Sequence, residues 1–179
     1  MTERFYTTST AFLEALAEAG VQYIFANLGS DHPGLIEALA QAKADGRDKD
    51  LPRLIVCPHE MVALSAAHAY AAVSGRPQAV IVHVDAGTQN MGGAVSNART
   101  SRVPVLVFAG ASPYTMRGEL PGSRNEYIHW IQDVPDQRGI MRGHVKYDNE
   151  IRYGADVKQL VHRAIQIAAS GDGRLFANI

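Results

Sequence analysis

The chain holds a single cysteine, Cys57, and a single tryptophan, Trp130, in 179 residues. One cysteine excludes an intrachain disulfide and a clustered cysteine metal site, and it suits a reducing cytoplasm. An excess of charge of one sign is also missing: 17 Lys and Arg against 18 Asp and Glu leave a net charge of -1. That balance gives no bulk attraction for nucleic acid or for an anionic membrane, and neither is expected as a partner. No apolar run is long enough to cross a bilayer, and the opening MTERFYTTST has no signal-peptide pattern. A cytoplasmic location is therefore expected. The phosphate loop Gly-x-x-x-x-Gly-Lys-Ser/Thr is absent, and no Gly-x-Gly-x-x-Gly follows the first strand-like run. No strand leads into Gly-x-Ser-x-Gly, which argues against a Ser-His-Asp hydrolase. His59-Glu60 is not a zinc motif, because position 63 is Ala where a second His is needed. No metal ligand set is expected within the chain.

What is present is an alternation of two periodicities. Hydrophobic residues at 46% and charged residues at 20% are the proportions of a folded chain, expected here as one domain over 1–179. Ser9 to Ala19 places Phe12, Leu13, Leu16 and Ala17 at helical spacing, and Gly20 ends that helix. Val21 to Asn27 reads as a strand. Ser30 or Asp31 can cap the next helix, which carries Leu35, Ile36, Leu39 and Ala42. Leu54-Ile55-Val56 is a second strand, followed by an Ala-rich helix that opens on His59-Glu60 and looks buried on nearly every side. Ala79 to Val84 reads as a central strand in which His83 is expected to be a satisfied core residue. Ala86 to Thr100 reads as one helix, Val103 to Ala109 as a strand, and Ala155 to Ser170 as a final helix. Strict alternation with continuously apolar strands predicts a doubly wound, mainly parallel α/β sheet with helices on both faces. Between Gly110 and Asp136 the alternation gives way to a long loop-rich segment, a common place for function.

In such sheets ligands bind beyond the carboxyl ends of the strands. Three strand-to-helix junctions are therefore expected to open on one edge: Asn27 to Asp31, Pro58 to Glu60, and Val84 to Asn90. Glu60 stands at the middle one. A first-turn Glu also favours the helix dipole, so its presence alone does not prove a site.

The junctions resemble the N-terminal pyrimidine-binding domain of thiamine-diphosphate-dependent 2-oxo acid enzymes, the group of acetolactate synthases and benzoylformate decarboxylases. GVQYIFANLGSDHPGLIEAL is similar to the family's opening strand, loop and helix. HEMVALSAAHAYAAVSGRP is similar to its His-Glu…Ala-x-x-Tyr-Ala…Gly-Arg/Lys-Pro segment, VDAGTQNMGGAVSNARTSRVPVLVFAG to its third junction, and QDVPDQRGIMRGHVKYD to the segment after the long loop. The resemblance covers nearly the whole chain and implies the cofactor thiamine diphosphate. It implies that Glu60 is the catalytic carboxyl, hydrogen-bonding the aminopyrimidine ring nitrogen so that the cofactor's thiazolium carbon can attack a 2-oxo acid. The chemistry needs a carboxyl set in an apolar site, where it can share a proton with the ring. Gly29, Ala86, Gly87 and Asn90 are implied as further cofactor contacts, and Ser30, His32 and Gln132 as contacts to a small 2-oxo acid substrate. Asn90 and Ser30 can equally serve as helix caps.

The sequence also departs from the family. Leu28 stands where Pro is common, and Asp85-Ala86 stands where many members have Gly-Pro. The ending GDGRLFANI stands where the family has a Gly-Pro-Val-Tyr-Leu strand leading into its next domain. The resemblance implies a partner, a diphosphate-binding domain or subunit that supplies Mg2+, and this chain does not contain one. The chain is therefore expected to be inactive alone, as a fragment or as one chain of a two-chain enzyme. The small residues Ala63, Ala66, Ala67, Ala69, Ala71 and Ala72 of the helix that opens on His59-Glu60 suggest a homo-oligomer packed through them. Two other readings stay open from the residues: a non-catalytic binding or regulatory module of the same fold, and an unrelated flavodoxin-like nucleotide-binding protein.

Overall fold

A computed structural model of the chain describes residues 6–120, 122–123, 133–170 and 176–178. Strands β1 (Tyr23–Asn27), β2 (Arg53–Val56), β3 (Gln78–Val82) and β4 (Val105–Ala109) form where apolar residues run on without helical spacing. Two shorter strands, β5 (Asp148–Asn149) and β6 (Phe176–Asn178), extend the sheet to the order β2-β1-β3-β4-β6-β5. Every pairing is parallel. A strand thus forms within the sequence ending GDGRLFANI, alongside β4.

Parallel strands need helical crossovers, and these cover both faces. Helices α1 (Thr8–Glu18), α2 (Pro33–Ala44) and α6 (Val157–Ala169) lie on one face, where Phe12, Leu13, Leu16, Val161 and Ile165 pack on Ile24, Ile81 and Leu106. Helices α3 (Glu60–Ser74) and α5 (Gly92–Ser101) lie on the other, with Leu64, Ala67, Val95 and Ala98 packed on Val80, Val82, Val105 and Val107. Strand β3 is buried at all five positions, because each face of it meets a helical layer. This is the doubly wound α/β architecture expected from the alternation. Among the described residues, no helix is long and apolar enough to cross a membrane.

Local chemistry explains the helix limits, and it corrects three expectations. Thr7 caps α1, its Oγ1 accepting the Thr10 amide at 3.1 Å, and Gly75 ends α3 in the left-handed conformation at φ 68°. Helix α2 is not capped by Ser30 or Asp31. It starts at Pro33, whose missing N–H suits the first helical position, with His32 as the flanking residue. The segment from Ala86 is two helices rather than one: α4 (Ala86–Gln89) stops at Asn90, and α5 starts at Gly92. Gly92-Gly93 is a weak helical pair, and Asn90 has a side-chain partner elsewhere. Helix α3 buries Glu60, Ala63, Leu64, Ala67 and Ala71, while Met61, Val62 and Val73 on its outer side are exposed. Among the described residues, one face of that helix is covered.

The order of the strands positions the site. From β1 the chain crosses to β2 on one side and then returns to β3 on the other, so the winding reverses between β1 and β3. A crevice opens at such a point beyond the carboxyl ends of the strands.

Candidate functional site

The three junctions come together at that crevice. Helix α3 starts there because His59 stays extended and its Nδ1 accepts the Met61 amide at 3.1 Å, which turns the next residue into the first helical turn. Glu60 is therefore held at the helix mouth, and it is 7% exposed. Its Oε2 accepts a hydrogen bond from the Asn90 side-chain amide at 3.0 Å, and His59 Nδ1 lies 3.8 Å from the same oxygen. Its Oε1 lies beside Gly87: a Cβ built at that position would sit 3.3 Å from the oxygen. The same Cβ would sit 3.0 Å from His83 Cβ, so glycine lets the turn pack closely against both Glu60 and His83.

Asn90 can reach Glu60 because of the short α4 turn, and that turn is entered through a strained residue. Asp85 has φ 46° and ψ −87°, in the half of backbone space that favours glycine. The family resemblance places Gly at this point, so the departure at Asp85 keeps the backbone shape and adds a carboxylate to it. Its Oδ1 accepts from Gln89 Nε2 at 2.6 Å. Gln137 anchors the end of the long loop-rich segment at the same edge, donating to the Gly110 carbonyl at 2.8 Å and Thr88 Oγ1 at 3.2 Å.

The third component was not anticipated from the sequence. Asp31 has a fully buried side chain. Its Oδ1 lies 2.6 Å from His83 Nδ1 and 2.8 Å from His32 Nδ1, and its Oδ2 accepts the Val84 amide at 3.0 Å. Burial opposes the charge on this carboxyl, but the hydrogen bonds and charges of His32 and then His83 outweigh it and hold Asp31 below the ordinary carboxylate range. His83 is not a core residue as expected. Strand β3 ends at Val82, which leaves His83 on the carboxyl edge with its side chain 22% exposed. Asn27 donates to the Cys57 carbonyl at 2.9 Å and so ties the first junction to the second.

The implied site residues fall into distinct positions. Glu60 accepts from Asn90 and lies beside Gly87, and Ala86 stands one residue from Gly87 in the same turn. Gly29 lies against the His83 ring, so closely that a Cβ there would collide with it. Ser30 is exposed on the first loop, whereas His32 is 1% exposed and turned inward onto Asp31. Gln132 lies outside the described residues. The signals that could have found Asp31 and His83 are an acid beside Gly29-Ser30 and a histidine closing an apolar strand. Neither has a spacing rule that joins residues 52 positions apart.

A parallel sheet with a buried carboxyl, an amide partner and a close-packed glycine turn at its switch point defines a ligand- or cofactor-binding α/β domain. The family model "Thiamine pyrophosphate enzyme, N-terminal TPP binding domain" matches residues 6–140, and the chain belongs to that family. It is 30% identical over 166 residues to benzoylformate decarboxylase from Pseudomonas aeruginosa, an alignment covering 91% of this chain and 28% of that protein. It is 28% identical over 163 residues to the acetolactate synthase large subunit of Lactococcus lactis, covering 91% and 25%. The solved structure of a Rhodococcus jostii thiamine diphosphate-dependent 4-hydroxybenzoylformate decarboxylase superimposes with a TM-score of 0.72 at 25% identity, over 97% of this chain and 29% of that one. The chain thus spans about a quarter of the length of the curated relatives it matches.

Proposed function

We propose that this chain is the pyrimidine-binding part of a thiamine-diphosphate-dependent enzyme that acts on a small 2-oxo acid, by decarboxylation, carboligation or both. The observation that carries the proposal is the buried Glu60 carboxyl, held by Asn90 and set beside Gly87 at the carboxyl edge of the sheet. Those residues fit a flat aminopyrimidine: an acceptor for its ring N–H, an orienting amide, and no side chain at 87 to fill the space. When bound, thiamine diphosphate supplies a carbon nucleophile and an electron sink for the 2-oxo acid. Glu60 holds the proton shared with the ring nitrogen, Asn90 fixes the carboxyl's orientation, and Gly29, Ala86 and Gly87 let the backbone approach. Ser30, His32 and Gln132 remain the proposed contacts on the substrate side, with His32 acting through its hold on the loop. Glu60 facing the open sheet edge also argues against the flavodoxin-like alternative, which needs it turned away.

The same reading calls for Mg2+ and a diphosphate-binding domain or subunit outside residues 1–179, and the isolated chain is then inactive. The exposed outer side of α3, with Val62 and Val73, supports packing against another subunit there. The test is Glu60→Gln in the enzyme reconstituted with its diphosphate-binding part. We expect kcat to fall by roughly 100-fold or more, the range of lost general acid–base catalysis, while substrate KM changes little. Unchanged turnover defeats the role given to Glu60. Turnover by the 179-residue chain alone defeats the dependence on a partner.

A further inference from the structure

Asp31, His32 and His83 form a cluster from which the proposed function draws only on His32, and only for its hold on the loop. We infer that these three residues form a binding site for a divalent first-row transition-metal ion of the zinc class, which clasps the β1–α2 loop to the β3–α4 loop. One ligand atom from each residue lies within 4.8 Å of the other two. Both imidazole Nδ1 atoms converge on a single carboxylate oxygen, Asp31 Oδ1, at 2.8 and 2.6 Å.

As a network of hydrogen bonds this arrangement does not close. The Gly29 amide donates to His32 Nδ1 at 3.1 Å, so that nitrogen presents its lone pair. The same lone pair then faces Asp31 Oδ1 across 2.8 Å, electron pair against electron pair. A proton on Nδ1 satisfies Asp31 but sets N–H against the N–H of Gly29. His32 Nε2 is buried and has no partner among the described residues, so shifting the proton to it satisfies nothing. A cation between the two nitrogens and Oδ1 removes the opposition. Its cost is the Gly29 hydrogen bond, which the ion displaces.

The surroundings are those of a metal site. Asp31 Oδ2 is fixed by the Val84 amide at 3.0 Å, which orients the carboxylate and leaves Oδ1 for the ion. A Cβ at Gly110 would collide with that carboxylate, and one at Gly29 with the His83 ring, so both glycines keep the space around the ligands clear. Bonds of about 2.0–2.2 Å place ligand atoms roughly 3.3 Å apart around a tetrahedral ion, so the rings move outward by about half an ångström. His83 is the partly exposed member, which gives the ion a route in and leaves a coordination position for water. Two imidazoles and one carboxylate suit zinc, cobalt(II) or nickel, whereas magnesium prefers oxygen ligands alone.

The experiment is titration of the purified protein with ZnCl2, CoCl2 and MgCl2, followed by calorimetry, melting temperature and the visible spectrum of the cobalt form. We expect one equivalent of zinc or cobalt to bind with a rise in melting temperature, and no equivalent response to magnesium. His83→Ala and the milder His83→Gln should each weaken zinc at least tenfold, and His32→Ala should do the same, while Glu60→Gln binds zinc as the parent does. Absence of stoichiometric binding overturns the inference, and so does binding that survives His83→Gln, which would place the ion at other histidines. None of these readouts involves thiamine diphosphate or turnover, so the metal site and the proposed enzymatic role stand or fall separately.

Discussion

Asn90 Nδ2 donates to Glu60 Oε2 at 3.0 Å, joining the first turn of α3 to the residue that ends α4. The contact ties together two junctions that are 30 residues apart in the chain. A hydrogen bond to a buried carboxylate contributes about 1.5–3 kcal/mol, and losing it leaves the acceptor without its amide. Asn90→Ala should therefore lower the unfolding free energy by about 2 kcal/mol, and Asn90→Asp by more, because it sets a second carboxylate against Glu60. Urea denaturation of the three proteins at neutral pH measures both. An Asn90→Asp protein as stable as the parent would mean that the contact carries little energy.

Asp85 is a site of stored strain. A non-glycine residue held at positive φ costs on the order of 1–3 kcal/mol, and glycine recovers part of this after its larger unfolded-state entropy is counted. Asp85 has φ 46°, while its hydrogen bond from Gln89 is exposed and contributes less. Asp85→Gly should raise stability by about 1 kcal/mol, and Asp85→Val should lower it by about 2 kcal/mol because a β-branched side chain resists this backbone. Thermal melts should rank Gly above Asp above Val. Any other order removes strain as the explanation for the turn.

The α1–α6 contact makes stability depend on pH. Lys158 Nζ lies 3.0 Å from Glu14 Oε2 and 2.6 Å from Glu18 Oε1. Burial pushes the Glu14 carboxyl up, but hydrogen bonds from Tyr6 and Lys158 outweigh it and hold the group below its usual value. A depressed carboxyl contributes stability that is present above its unfolded pKa, about 4.3, and is lost as pH falls through the lower folded value. Lys158→Met should lower stability at pH 7 by less than about 1 kcal/mol, since the pair is partly exposed and screened. The difference from the parent should shrink in 1 M salt and as pH falls below about 4. A constant difference across pH 2–7 would assign the effect to packing.

Periodicity carried the fold because parallel strands advertise themselves. Val80, Ile81 and Val82 are all apolar since both faces of β3 are covered, and the helical spacing of Leu13, Leu16, Val161 and Ile165 marks the covering layer. The position of Glu60 was legible for another reason: it opens the Ala-rich helix directly after the strand Leu54-Ile55-Val56, which sets it at the carboxyl edge of the sheet. The Asp31–His83 pair was not legible. Its partners come from different junctions, and their meeting depends on β1 and β3 being neighbours in the sheet, a relation that no local spacing encodes. The break between α4 and α5 was hard to place because the small residues from Ala86 onward have helical composition, and the tertiary hold of Glu60 on Asn90 adds to the weak Gly92-Gly93 pair in interrupting them. The resemblance implies a substrate contact at His32 because it lies on the first loop. Pro33 starts the helix and turns the imidazole inward instead.

The outer side of α3 gives a last prediction. Val62, Ala69 and Val73 share one helical face on the side away from Ala63, Leu64, Ala67 and Ala71, and Val73 is 91% exposed. Exposed single apolar residues are ordinary, but a row of them on a helix of small side chains lets a second backbone approach closely. If that face packs against another subunit, Ala69→Arg should abolish self-association measured by light scattering across a range of concentrations. The same change should alter monomer stability by no more than about 0.5 kcal/mol, because position 69 is exposed and touches nothing in the core. Val62→Glu, one helical face-repeat earlier, should have the same effect on association. Retained association in both variants would move the subunit contact to another surface and leave the α3 face facing solvent.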